Sequence, residues 1–121
     1  MNDKRVKKTL KIKKCEETPE FTPVEGVHIA LVGDGKSMTL TRIRIEAGSI
    51  LPMHSHIHEQ IGTCIEGRGV MTSAGEVCDI VHGSTWTIPG GEEHKFEALD
   101  EPVLIFEVWS PPREDYRKLA E

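Results

Sequence analysis

The segment Met53-His54-Ser55-His56-Ile57-His58-Glu59-Gln60 is the most informative stretch of this chain. Its three histidines are two residues apart, and side chains at that spacing project from the same face of an extended strand. Neutral imidazole is a good ligand for nickel, zinc, iron, manganese and copper. We therefore interpret His54 and His56 as a two-histidine clamp for one divalent transition metal. The even spacing continues to Gln60, which predicts that this side chain faces the same way.

A fourth ligand is predicted about forty residues further on, at His94, directly after the turn Pro89-Gly90-Gly91. In a closed barrel, the strand that follows this turn can return to the position of the first two histidines. The predicted metal site is therefore His54, His56, Gln60 and His94. Glu59 offers a carboxylate, but strand alternation sends it to the opposite face. His58 shares the parity of the ligands and is interpreted as a neighbour of the site.

Short strands separated by turns fill most of the chain, which has 11 glycines and 7 prolines. No segment before residue 112 keeps apolar residues at helical spacing. The predicted strands are Gly26–Val32, Ser37–Glu46, Gly48–Met53, Glu59–Glu66, Gly69–Ser73, Glu76–Val81, Ser84–Ile88, His94–Ala98 and Val103–Trp109. Strands so evenly spaced favour a single barrel or sandwich, and 121 residues are enough for one domain only. We expect a basic arm or first strand over residues 1–21, a barrel over 22–112, and a tail over 113–121 with room for a short helix.

The last predicted strand, Val103–Trp109, is apolar on both faces, as expected of a strand covered on both sides. Glu107 is its one charged residue, so we expect it to lie inside the protein beside a partner. A carboxyl group near a metal is a candidate general acid or base. Arg113 follows six residues later and is suited to bidentate binding of a substrate carboxylate. The structural alternative is a Glu107–Arg113 ion pair that closes the end of the barrel.

The composition argues against several classes of partner. The net charge is −5, so nucleic acid is not expected as a partner, although seven of the 15 basic residues fall within residues 4–14 and are interpreted as a solvated arm. No apolar stretch approaches the ~20 residues of a membrane span, and no apolar signal-peptide core is present, which indicates a cytoplasmic protein. Three cysteines without CxxC spacing, Cys15, Cys64 and Cys78, predict reduced thiols.

Two motifs in the chain resemble those of the cupin superfamily. The first family motif, G-x5-H-x-H-x3–4-E-x6-G, is matched by Gly48, His54, His56, Gln60 and Gly67. The second, G-x5-P-x-G-x2-H-x3-N, is matched by Gly83, Pro89, Gly91 and His94, with Ala98 in place of asparagine. The resemblance covers about residues 22–112. It implies a small all-β cupin of the conserved-barrel type, a double-stranded β-helix or jelly roll with the metal inside. Gln60 replaces the usual glutamate ligand, so a bound dication keeps its full charge and is a stronger Lewis acid.

Two further segments, His54–Gln60 and Glu107–Tyr116, resemble the pectin-degradation cupins that linearise unsaturated uronates. Carried over to this sequence, the resemblance makes Glu107 the acidic residue near the metal, where that group has aspartate. It makes Arg113 the arginine after the last strand. The longer side chain of Glu107 leaves the substrate open. Small cupins commonly form homodimers, so the resemblance also implies a homodimer.

Three functions remain open from the sequence. The first is metal-assisted acid–base chemistry on a small carboxylated sugar or keto acid, by isomerisation, ring opening or lyase elimination. The second is a metal-dependent dioxygenase, and the third is a cupin that binds a metal or ligand without turnover. With only 3 Phe, 2 Trp and 1 Tyr, the sequence favours a small polar substrate. Gly62 predicts space for that substrate above the metal, and Cys64 is interpreted as a small buried apolar residue, with a role in the site as the alternative.

Overall fold

A computed structural model describes residues 9–121, which contain ten β-strands and one α-helix. The strands are β1 (Glu20–Val24), β2 (Val27–Asp34), β3 (Thr39–Ile45), β4 (Ile50–His54), β5 (Glu59–Glu66), β6 (Gly69–Ser73), β7 (Glu76–Ile80), β8 (Thr85–Ile88), β9 (His94–Ala98) and β10 (Val103–Ser110). They pair antiparallel in a six-stranded sheet of order β1-β2-β3-β10-β5-β8 and a four-stranded sheet of order β4-β9-β6-β7. The all-β jelly-roll architecture expected from the sequence is confirmed.

Alternation along the central strands places one face of each sheet in the core. In β3, Thr39, Thr41, Ile43 and Ile45 are buried, whereas the residues between them face outward. β10 lies between β3 and β5, and its odd-numbered residues from Val103 to Trp109 are buried. Its even-numbered residues are only partly covered, so the expectation of a strand fully covered on both faces was too strong. Apolar side chains from both sheets fill the space between them. They are Val27, Ile29, Ile43, Ile45, Cys64, Ile80, Phe96, Ala98, Val103, Ile105 and Trp109.

The first strand, β1, was not among the predicted strands. It begins at Glu20, contains Pro23 and lies at the edge of its sheet, where a missing backbone N–H costs little. Before it, residues 9–14 have no regular secondary structure, and Cys15–Glu17 form one 3₁₀ turn. The Lys13 ammonium donates a hydrogen bond to the Leu31 carbonyl oxygen, at 3.2 Å. The basic residues Lys4, Arg5, Lys7 and Lys8 lie outside the described residues.

The C-terminal tail contains a helix, α1 (Glu114–Leu119), that packs against the six-stranded sheet. Arg117 of this helix donates to the Asp34 carboxylate at the end of β2, at 2.7 Å. Tyr116 packs on Phe21 of β1, with ring centroids 5.4 Å apart. These contacts hold α1 across one end of the space between the sheets. No helix within residues 9–121 is long and apolar enough to cross a membrane.

Candidate metal centre

The three histidines of the quoted segment do not all lie on one strand. His54 is the last residue of β4, whereas His56 and His58 lie in the irregular connection to β5. The expectation of three histidines on one strand face was therefore wrong in its local geometry. The connection nevertheless turns the His56 ring towards His54, with centroids 5.5 Å apart. The rings of His56 and His58 are 5.4 Å apart.

His94 is the first residue of β9, the strand that pairs with β4, and it lies directly opposite His54. The two ring centroids are 4.3 Å apart. The Gly91 N–H donates to the His56 carbonyl oxygen at 2.7 Å, so the glycine turn before His94 is fixed against the loop that carries His56. One nitrogen from each of the three rings lies within 4.8 Å of the others. The three rings are therefore close enough together to be candidates for holding one metal ion.

Backbone carbonyl groups set the tautomers of two of these histidines. Nδ1 of His54 lies 2.7 Å from the Pro52 carbonyl oxygen, and Nδ1 of His94 lies 2.9 Å from that of Glu92. A carbonyl oxygen only accepts, so each Nδ1 carries the proton and each Nε2 keeps a free lone pair. Nε2 of His94 and both ring nitrogens of His56 are buried without a protein partner. A buried ring nitrogen with a free lone pair and no hydrogen-bond partner is suited to bind a metal ion.

Two of these imidazoles, those of His56 and His94, are held in the neutral form that binds metals. Burial lowers the pKa of His56 to about 4, and the nearby Arg113 charge adds to the effect. Burial likewise lowers the pKa of His94 and the pKa of His58. At neutral pH, protons therefore compete weakly with a metal for His56 and His94.

Gln60 is buried on β5 and lines the same cavity as His54 and His94. Its Nε2 donates to the Glu107 carboxyl oxygen Oε2 at 2.6 Å, and its Oε1 is buried without a protein partner. An amide oxygen is a possible metal ligand, so Gln60 fits the chemistry of the three histidines. Glu59, the alternative ligand, is exposed.

Glu107 lies inside the protein beside this cavity, with a side chain 6 % exposed. Its Oε2 accepts the Gln60 bond and a second bond from the Trp86 indole N–H, at 2.8 Å. Burial raises the pKa of Glu107, and these two hydrogen bonds oppose that effect. A Cβ atom at Gly62 would lie 2.5 Å from Trp86 Nε1 and 2.7 Å from Glu107 Cγ. The space at Gly62 is therefore filled by these two side chains, in contrast to the expectation that it is left for substrate.

Arg113 is buried, but its partner is Asp115 and not Glu107. Nε and Nη2 of Arg113 donate to the two Asp115 oxygens at 3.0 and 2.7 Å, and Nη1 is buried without a partner. Its guanidinium carbon lies 4.5 Å from the Trp109 ring centroid and 3.7 Å from that of Tyr116. The bidentate fork expected for a substrate carboxylate is thus occupied within the protein. The ion pair with Glu107, considered as the structural alternative, is not present.

The cavity between the sheets is narrow and mainly apolar. The centres of water molecules can reach about 30 Å³ of it, enough for about two waters. Tyr116 forms part of its wall, and burial raises the pKa of Tyr116 to about 12, so its hydroxyl is neutral. Cys64 is 1 % exposed within the apolar core, and its thiol faces the carbonyl oxygen of Glu66 at 3.3 Å. It is a small buried apolar residue, as expected, and does not join the site.

Sequence reasoning missed Trp86, Asp115 and Tyr116. Trp86 alternates with exposed threonines in β8, which is a signal for an inward side chain. Asp115 and Tyr116 lie in the tail, where no strand pattern indicates which residues turn back to the barrel.

Comparisons with known proteins agree with this architecture. Residues 41–109 match the family model of the cupin domain. An uncharacterised protein of Streptomyces coelicolor is 26 % identical over 77 residues, which cover 64 % of this chain and 73 % of that protein. The structure of KdgF from a Halomonas species superposes with a TM-score of 0.83 at 22 % identity, over 89 % of this chain and 99 % of that one. A predicted oxalate decarboxylase from Thermotoga maritima gives a TM-score of 0.73 at 19 % identity, over 84 % and 99 % of the two chains.

Proposed function

The chain belongs to the cupin domain family, and from this premise we propose that it is a metal-dependent enzyme of acid–base chemistry. Its substrate is a small carboxylated sugar or keto acid, and the reaction is an isomerisation, a ring opening or a lyase elimination. The observation that carries the proposal is a buried carboxyl group of raised pKa beside a set of unpartnered metal-ligand atoms. Fold alone does not distinguish this function from others.

In this proposal, His54, His56, Gln60 and His94 hold one divalent transition metal. The donor set supports it, because Nε2 of His94 and Oε1 of Gln60 are buried and have no other partner. Three neutral nitrogens and a neutral oxygen leave the ion its full positive charge. When bound, the metal supplies Lewis-acid polarisation of a substrate oxygen.

Glu107 is proposed to move the proton. Both protein hydrogen bonds go to Oε2, so the other oxygen, Oε1, is the atom that holds or releases a proton. Its raised pKa lets the group exchange a proton nearer to neutral pH than an exposed glutamate does. Trp86 and Gln60 fix the carboxyl group in place while it does so.

Arg113 is proposed to bind the substrate carboxylate through Nη1, the one nitrogen that Asp115 leaves without a partner. A charge-assisted bond from one nitrogen orients a carboxylate less strictly than a fork does. His58 lies on the same side of the site, and its buried Nδ1 has no protein partner. A sugar ring is larger than the cavity between the sheets, so in this proposal side chains of the cavity wall move when the substrate enters.

The resemblance to uronate-linearising cupins makes small unsaturated uronates the first substrates to test, with keto acids second. The protein is purified without a chelating column, its metal content is measured, and turnover is followed in air and without oxygen. We expect about one divalent ion per chain and turnover that is independent of oxygen. Turnover only in air identifies a dioxygenase. Saturable binding of a uronate without product identifies a binding protein, and either result refutes the proposal.

We also propose that two copies of the chain pair through the outer face of the six-stranded sheet. On that face, Val108 lies between Leu40 and Ile61. The exposed Ile12 lines a surface groove together with Leu40 and Val108. A second copy would cover these apolar side chains. Light scattering after gel filtration should give a dimer for the wild type and a monomer for Ile61→Lys. Val77→Lys, on the exposed edge of the other sheet, is the control and should stay dimeric; a monomeric wild type refutes the pairing.

A further inference from the structure

The side chain of Gln60 can serve as a metal ligand in only one of two orientations. Its amide oxygen carries lone pairs, whereas its NH₂ group is a donor with no acceptor capacity. A rotation of 180° about the last side-chain bond exchanges the two atoms and leaves the shape of the amide almost unchanged. Something in the protein must therefore select the orientation that presents oxygen, a selection that a glutamate at this position would not need.

Glu107 provides that selection. Its Oε2 lies 2.6 Å from Gln60 Nε2, and this oxygen also accepts the Trp86 N–H at 2.8 Å. As a carboxylate, Glu107 carries no proton on this oxygen and can only accept there. If Gln60 were rotated, its Oε1 would face Glu107 Oε2, and two acceptors would lie in a buried contact, which is unfavourable. The NH₂ group therefore stays on Glu107, and Oε1 is left without a protein partner.

We infer that Glu107 is a positioning residue for the metal: it fixes the amide of Gln60 so that Oε1, and not Nε2, is presented beside the histidines. This inference rests on the metal centre of the proposed function, and it is separate from any transfer of a proton by Glu107. Trp86 acts one step further out, because its N–H holds the carboxyl oxygen that accepts from Gln60. Gly62 allows this arrangement by leaving room for both side chains.

The test measures the affinity of the metal-free, full-length protein for Co²⁺ or Zn²⁺ by competition with a coloured chelator. Glu107→Leu removes the oxygen that accepts from Gln60, so nothing at position 107 selects the orientation of the Gln60 amide. We expect the affinity to fall by about 10- to 100-fold, the usual cost of losing the partner of a ligand. The visible spectrum of the Co²⁺ form should change as well, since it reports the atoms bound to the ion. Glu101→Gln, which removes an exposed carboxylate near the start of β10, should bind as tightly as the wild type.

The decisive test is a cycle of Glu107→Gln and Trp86→Phe. In Glu107→Gln, the Trp86 N–H holds the new amide oxygen where Oε2 was, so this oxygen still accepts from Gln60. In Trp86→Phe, the carboxylate still accepts from Gln60, so we expect both single variants to bind like the wild type. In the double variant, the amide at position 107 is free to turn and to donate to Gln60, so we expect the affinity to fall by about 10-fold or more. A merely structural role for Glu107 predicts that the effects of the two single variants simply add.

The outcomes separate the inference from the proposed function. If the wild type binds neither ion, the metal centre itself is refuted and the inference with it. If the wild type binds and Glu107→Leu binds equally well, the inference alone is wrong. If Glu107→Leu does not fold, the double variant Glu107→Gln with Trp86→Phe decides: binding weaker than the two single variants together explain supports the positioning role, and wild-type binding overturns it.

Discussion

Gly62→Ala tests whether Trp86 and Glu107 are packed against the strand as described. The backbone at Gly62 has no positive φ, so alanine is acceptable to the chain and the effect is one of space. The new Cβ would lie 2.5 Å from Trp86 Nε1 and 2.7 Å from Glu107 Cγ. These separations are far below van der Waals contact, so at least one of the two side chains must move.

The cost follows from the two interactions that are disturbed. Overpacking in a core costs about 1–3 kcal/mol, and the loss of the Trp86–Glu107 hydrogen bond adds about 1 kcal/mol. Replacement of a strand glycine by alanine returns about 0.5–1 kcal/mol of backbone entropy. We expect a net loss of about 2 kcal/mol in the free energy of unfolding, or roughly 8 °C in melting temperature for a chain of this size.

The assay is urea unfolding followed by tryptophan fluorescence, which also reports the displacement of Trp86. The matched control is Gly33→Ala, another strand glycine without a positive φ, whose Cβ would meet Leu40 Cβ at 3.1 Å. We expect the control to lose less than about 1 kcal/mol. A Gly62→Ala variant as stable as the wild type would refute the packing described here. It would restore the interpretation that Gly62 leaves free space for a substrate.

Three further predictions concern the metal ligands and the tail. His54→Ala should abolish tight metal binding. The metal-free variant should nevertheless melt within a few degrees of the metal-free wild type, because the side chain lies outside the apolar core. An unfolded variant would show that the histidine cluster is structural. In the metal-free protein, His56 has its ordinary pKa of 6.5 in the unfolded chain and a pKa of about 4 in the folded protein. As the pH falls from 6.5 to about 4, the unfolded chain therefore binds a proton that the folded protein does not, and the free energy of unfolding decreases. At about 1.4 kcal/mol per pKa unit, His56 accounts for up to about 3 kcal/mol of this decrease. Urea titrations at several pH values measure the free energy of unfolding, and a value that does not fall with pH argues against a buried neutral ring at His56. Arg113→Lys keeps the positive charge but loses the bidentate bond to Asp115 and the stacking on Trp109. We expect the free energy of unfolding, measured by thermal unfolding without substrate, to fall by about 1–3 kcal/mol. An unchanged melting temperature would mean that these contacts do not contribute.

The sequence predicted the strands well because turns and alternation are local signals. β5, β6 and β9 have the predicted bounds, and the other predicted strands differ at their ends. β1 escaped because Pro23 and the polar residues around it hide its alternation. The three predicted histidine ligands also meet in space, but not for the reason given. The parity argument assumed one continuous strand through His58, whereas the chain leaves the strand after His54 and enters β5 at Glu59.

The contacts around the ligands could not be predicted from the sequence. Glu107 was expected to lie inside and to need a partner, but nothing local indicates that the partners are Trp86 and Gln60, which are 21 and 47 residues away. The sequence did not place Glu107 among the ligands, and it gave no sign of the hydrogen bond from Gln60, a proposed ligand, to this carboxyl group. Pairings of this kind depend on the register between strands, which side-chain patterns do not specify.

The packing of α1 on the open end of the barrel has a consequence for how this protein can diversify. Tyr116 forms part of the cavity wall although it comes after the last strand, and Arg113 reaches the site from the same tail. Strand residues of the site are paired with neighbouring strands of their own sheet, so a change there disturbs strand pairing and core packing together. The tail is held mainly by side-chain contacts such as Arg117 with Asp34. Evolution can therefore reshape the entrance to the site within a few tail residues, while the ten strands and the four proposed ligands stay as they are.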